Sequence, residues 1–116
     1  MERSSEDAID CEVVCSTGCI TVSGEIDIAN ATVIGRRLRA HLTPRNVVVD
    51  CRAVSFLDVA GFRMFAQLGI EAIAAGAVVC VRCSPAMTET LNLCGMRDLP
   101  GLVLDRDDHD SPGDTR

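Results

Sequence analysis

Residues 47–62 read VVVDCRAVSFLDVAGF, and this stretch decides the fold. Val47, Val48 and Val49 form an unbroken β-branched run, the pattern of a strand buried on both faces. A turn is expected around Ser55 to Asp58. Asp58 then stands just ahead of a run with helical spacing, where a carboxylate accepts free backbone N–H groups and meets the positive end of the helix dipole. The segment therefore predicts strand, turn and helix in direct succession.

Downstream, Phe62, Phe65, Leu68 and Ala72 mark one face of a helix over about 60–75, and Gly76 supplies its C-terminal stop. Residues 77–81 (AVVCV) read as another buried strand. Ser84-Pro85 pairs an N-cap residue with proline in the first helical turn. That helix runs to about Cys94 and ends at Gly95, and Leu102-Val103-Leu104 offers a last short strand. Upstream, Ala31, Ile34, Leu38 and Leu42 fall at helical spacing after Asp27, with Arg36 and Arg39 on the other side and a stop at Thr43-Pro44. Before that, CEVVC (11–15) and CITVSGEI (19–26) flank the turn Ser16-Thr17-Gly18 and predict a hairpin. The order β-β-α-β-α-β-α-β defines an α/β domain with a mixed, mainly parallel sheet.

The 116 residues suit one domain: a short N-terminus over 1–9 expected to be flexible, a body over 10–105, and an acidic tail over 106–116 expected to be disordered. The formal net charge is -6. All the basic residues are Arg, scattered except for Arg36, Arg37 and Arg39, which argues against a nucleic acid partner because phosphate binding needs clustered positive charge. No stretch approaches the roughly 20 apolar residues that span a bilayer, and the polar, acidic start does not read as a signal peptide. A cytoplasmic location without membrane insertion is expected, with the seven Cys present first as thiols.

Three blocks carry a resemblance. Residues 22–27 (VSGEID) followed by a helix, residues 48–62, and residues 84–96 (SPAMTETLNLCGM) stand in the order and spacing of STAS domains. The resemblance covers about residues 10–105 and implies a compact single domain with helices packed on one side of the sheet. It resembles in particular the bacterial anti-sigma factor antagonists, which bind an ATP-binding anti-sigma kinase and free a sigma factor. It implies a partner-binding surface at Asp27, Asp58, Val59, Ala60, Gly61 and Phe62. In that family the kinase phosphorylates a Ser just before the Gly of the signature. Here the signature is Asp58-Val59-Ala60-Gly61, and Ala60 has no hydroxyl, so no phosphorylation is expected there. Ser55 reads as a turn residue, not a substitute acceptor.

Cys80-Val-Arg-Cys83 has the CxxC spacing of metal and redox sites. In a strand, residues three apart point to opposite faces, and no second CxxC or nearby His completes a zinc set. No metal and no cofactor are expected. Cys51 and Cys80 read as structural thiols. Cys15, Cys19, Cys83 and Cys94 are the candidate redox residues, and Cys15 and Cys19 face each other in some hairpin registers. Thiol oxidation would supply the control that Ala60 removes. An enzyme is not expected, because the catalytic sets and glycine-rich phosphate loops are missing. The alternatives within binding proteins are a STAS subunit of a lipid-transporting ABC system and a scaffold in a stress-sensing assembly.

Overall fold

A computed structural model describes residues 11–16 and 18–106. The expected flexible N-terminus, the acidic tail beyond Arg106 and His109 lie outside them. The chain runs β1 (Cys11–Ser16), β2 (Cys19–Ile26), α1 (Ala31–Arg39), β3 (Asn46–Leu57), α2 (Val59–Ala75), β4 (Val78–Cys83), α3 (Pro85–Leu93) and β5 (Leu102–Arg106). This is the expected order of elements. The five strands form one sheet in the order β1-β2-β3-β4-β5, antiparallel between β1 and β2 and parallel elsewhere.

One face of the sheet makes the core. Ile20 and Val22 of β2, Val47, Val49 and Cys51 of β3, and Val79, Val81 and Cys83 of β4 are buried there, against Ile34 and Leu38 of α1, Phe65, Leu68 and Ala72 of α2, and Met87 and Leu91 of α3. The alternate residues face outward, and Val78 and Val103 are exposed. The expectation that 47–49 is buried on both faces is therefore corrected. Val48 is only half-buried, because the sheet is covered on one side and its residue parity points away from the helices.

Other boundaries also move. The third strand extends over 12 residues to Leu57, so Ser55 is an exposed strand residue and not part of a turn. Helix α1 ends at Arg39, short of the expected Thr43-Pro44. Its start is also later than the Asp27 signal indicated, since Asn30 occupies the N-cap position. The C-terminal stop at Gly76 is as expected, with φ of 70° and amide bonds back to the last turn of α2. Ser84 caps α3 by accepting from the Met87 amide at 3.1 Å.

Two glycines permit a close approach between α2 and the loop before β5. A Cβ on Gly69 would overlap the carbonyl oxygen of Pro100, and one on Gly101 would overlap the carbonyl oxygen of Gly69. Gly101 also has φ of +88°, which side-chain-bearing residues rarely adopt. The α2 backbone thus lies directly on the loop that leads into β5.

Candidate functional site

The parallel strands β2 and β3 end side by side, with Ile26 in register with Leu57. The loops that follow them therefore leave the sheet at the same edge. The Asp58 carboxylate joins these loops. Its Oδ1 accepts from the Gly61 amide at 2.9 Å, which caps α2, and its Oδ2 accepts from the Ile28 amide at 3.1 Å. The Asp58 amide donates to the Ile26 carbonyl oxygen at 3.1 Å. One side chain thus fixes the start of α2 and the approach to α1 together.

The β2–α1 loop is organised by a residue that sequence reasoning missed. Asn30 is 1% exposed. Its Oδ1 accepts from the Asp27 amide at 3.0 Å, and its Nδ2 donates to the Glu25 carbonyl oxygen at 2.8 Å. Asp27 is not the helix cap. Its side chain accepts from the Ala29 amide at 3.0 Å and closes a local turn, while its carbonyl oxygen receives the Asn30 and Ala31 amides. An Asn a few residues past a strand is a common turn residue, so only its burial distinguishes it, and burial is not visible in one sequence.

Gly61 is buried because α2 begins directly over the strand ends. A Cβ there would lie 2.9 Å from Cγ2 of Ile26 and overlap Cδ1 of Leu57. With Gly61 underneath, the neighbouring side chains project outward. Val59 is 53% exposed and Ile28 is 82% exposed, while Ala60 and Phe62 are partly buried against the core. The structure therefore brings Asp27, Asp58, Val59, Ala60, Gly61 and Phe62 to one edge and adds Ile28 and Asn30. Thr90 of α3 braces this edge by donating from its hydroxyl to the Leu57 carbonyl oxygen at 2.7 Å.

A groove of about 330 Å³ continues from this edge between α1 and α2. Its floor includes Ala31, Gly35, Ala60 and Met64, and Arg39 and Arg63 stand along it. Gly35 sets the helix separation, since a Cβ there would meet Cγ of Met64 at 2.7 Å.

The candidate thiols are dispersed. Cys83 and Cys51 are in register on β3 and β4 and fully buried in the core, whereas Cys80 is half-buried on the open face, so the CxxC thiols point to opposite sides. Burial, reinforced by the nearby Asp105 carboxylate and opposed by Arg82, pushes the Cys80 thiol pKa up, which keeps it protonated. Cys19 and Cys94 are half-buried. The register pairs Cys15 with Ile20 and Ser16 with Cys19, so the alignment in which Cys15 and Cys19 face each other is not adopted. The Cys15 side chain lies outside the described atoms. No grouping of His, Cys, Asp and Glu suited to a metal ion occurs among the described residues, nor a helix long and apolar enough to cross a membrane.

A one-sided α/β sheet whose strand-end loops are locked together by a capping carboxylate defines a compact domain with an exposed loop surface. The STAS domain profile matches residues 8–109, and the chain belongs to the STAS domain family. Among solved structures, it is similar to an anti-sigma factor antagonist from Mycobacterium paratuberculosis, with 28% identity and a TM-score of 0.54 over 80% of this chain and 83% of the other. A search of the curated proteins finds no significant match.

Proposed function

We propose that the chain is an anti-sigma factor antagonist, which binds an ATP-binding anti-sigma factor and so frees a sigma factor for transcription. The observation that carries this reading is the Asp58 bridge, which holds Ile28 and Val59 exposed on one preformed surface. Large exposed aliphatic side chains grouped at the mouth of a groove mark a protein-binding surface. The class of partner is drawn from the similar antagonist of known structure. Asp27, Asp58, Val59, Ala60, Gly61 and Phe62 form the docking edge in this reading, with Asp27 and Asp58 shaping its backbone.

Ala60 sets the regulation. A phosphate ester needs a side-chain hydroxyl, so the roughly two negative charges that would repel a partner cannot be added at this position. The antagonist is therefore competent to bind without prior dephosphorylation. Thiol control falls to Cys15, Cys19 and Cys94, because Cys83 is sealed in the core.

Titration calorimetry against each ATP-binding anti-sigma factor of the source genome, with and without reductant, tests the reading. One of them should bind the untreated protein, and Ile28→Asp or Val59→Asp should weaken binding at least tenfold while leaving the unfolding midpoint unchanged. Absence of binding in both conditions overturns the antagonist role. Equal affinity in both conditions removes the thiol control alone.

A further inference from the structure

The groove between α1 and α2 has a composition that the docking edge does not explain. Its α2 wall is Ala60, Arg63, Met64 and Gln67, and its α1 wall includes Ala31, Gly35 and Arg39. The α2 residues stand at i, i+3, i+4 and i+7 and the α1 residues at i, i+4 and i+8, so each set lies along one face of its helix. The floor is apolar, with the Met64 side chain packed over Gly35 and the small Ala31 and Ala60 beside it. Among the described residues the charged groups lining it are both Arg, and no carboxylate lines it, although the chain as a whole carries a net charge of -6. Arg39 is partly compensated by Glu71 at 3.2 Å, with Gln67 holding that carboxylate from the other side at 3.2 Å. Arg63 is exposed and makes no hydrogen bond or ion pair with the described residues.

We infer that this groove receives an acidic amphipathic helix of the partner protein, with apolar side chains laid on Ala31, Gly35, Ala60 and Met64 and carboxylates paired with Arg63 and Arg39. This is the helix-in-groove mode of recognition, in which anchors recur once per turn. The α1 wall from Ala31 to Arg39 measures about 12 Å at 1.5 Å per residue, enough for roughly two turns of a docked helix. An acidic helix suits the rim, whereas a basic one meets two like charges. The partner's identity rests on the antagonist reading, while the chemistry of the helix rests on the groove alone.

Two lactam-stabilised helical peptides of about 12 residues test this. Both carry Leu at i, i+3 and i+7, one with Glu and one with Lys on the flanking positions, and each is titrated into the nitrogen-15-labelled full chain. The acidic peptide should shift the amides of Ala31, Gly35, Ala60 and Met64 and bind at least tenfold tighter than the basic one. Arg63→Glu should reverse that order. Equal binding of the two peptides, or shifts confined to other regions, overturns the inference. Concentration-dependent shifts of the same amides without peptide would assign the groove to a second copy of the chain and also overturn it. If the acidic peptide binds here while no anti-sigma factor binds, the antagonist reading fails and the groove chemistry stands. If an anti-sigma factor binds but the peptides do not discriminate, the groove chemistry fails alone.

Discussion

Asp58→Ala removes a side chain that joins both halves of the proposed docking edge, and its cost follows from two hydrogen bonds. Loss of the cap at the Gly61 amide costs about 1 kcal/mol, the usual value for replacing an N-cap Asp by Ala. The bond from the Ile28 amide is exposed, so its loss adds only about 0.5–1 kcal/mol. The sum, about 1.5–2 kcal/mol, corresponds to a fall in Tm of about 6–8 °C for a domain of this size. Asp58→Asn retains one oxygen for the Gly61 cap but sets an NH2 donor against the Ile28 amide, so it loses that bond, about 0.5–1 kcal/mol, together with the charge–dipole attraction. Urea denaturation followed by circular dichroism should therefore rank wild type above Asn and Asn above Ala. Amide exchange provides the local readout: protection at Ile28 and Gly61 should drop in Asp58→Ala, while that of Val49 and Val81 falls only in step with global stability. An Ala variant within about 0.5 kcal/mol of wild type, or unaltered exchange at Ile28, would refute the bridge as the organising element.

Gly69→Ala should destabilise the fold by about 2 kcal/mol or more in the same urea assay, because the new methyl overlaps the Pro100 carbonyl oxygen and backbone must move. Gly101→Ala should cost more still, since a clash with Gly69 adds to its positive φ. The side-chain hydrogen bond from Arg52 holds Asp50 below the ordinary carboxylate range, aided by that residue's backbone bond and by the Arg52 and Arg82 charges and opposed by burial. A depressed folded-state pKa stabilises the protein above the unfolded value and is lost as pH falls through the folded one. Wild type should therefore exceed Arg52→Gln in stability at neutral pH, and the gap should close under acid. Carbon-13 titration should show the Asp50 midpoint rising in that variant. Iodoacetamide labelling near neutral pH, read by mass spectrometry, should modify Cys80 slowly and Asp105→Asn should accelerate it, whereas Cys51 and Cys83 should label only on unfolding.

Element order was legible because each transition carries its own chemistry: Asp58 ahead of α2, Gly76 behind it, and Ser84-Pro85 at α3. The end of β3 was not. Its buried residues fall at 47, 49, 51, 54 and 57, so strict alternation breaks after Cys51. The register with β2 slips in the same region, between Thr21 and Ser23 and again between Gly24 and Glu25. Such irregularities change the period from two to three, and Ser55 then looks like a turn residue although it lies in a strand. The open side of the sheet was hidden for a related reason. Val48 has the same side chain as Val47 and Val49, and only the placement of all three helices on the opposite face distinguishes it.

The site was half legible, and the missing half bears on what Ala60 means. The signature residues locate the edge, but the interactions that shape it are made by Asp58 with two amides and by Asn30 with the β2–α1 loop. None of these bonds uses the side chain at position 60. A methyl group there packs against the core at the head of the groove, so the departure from the family pattern removes a chemical handle without removing a structural support. In the antagonist reading proposed above, the surface that a phosphate would block in a relative with a hydroxyl at this position stays unmodified in this chain, and control over docking acts elsewhere. The Asp58 bridge is a poor lever for that control, since opening it also uncaps α2 and loosens the fold. The groove is a better one, because Arg63 and the Arg39–Glu71–Gln67 cluster make none of the hydrogen bonds that fix the two loops.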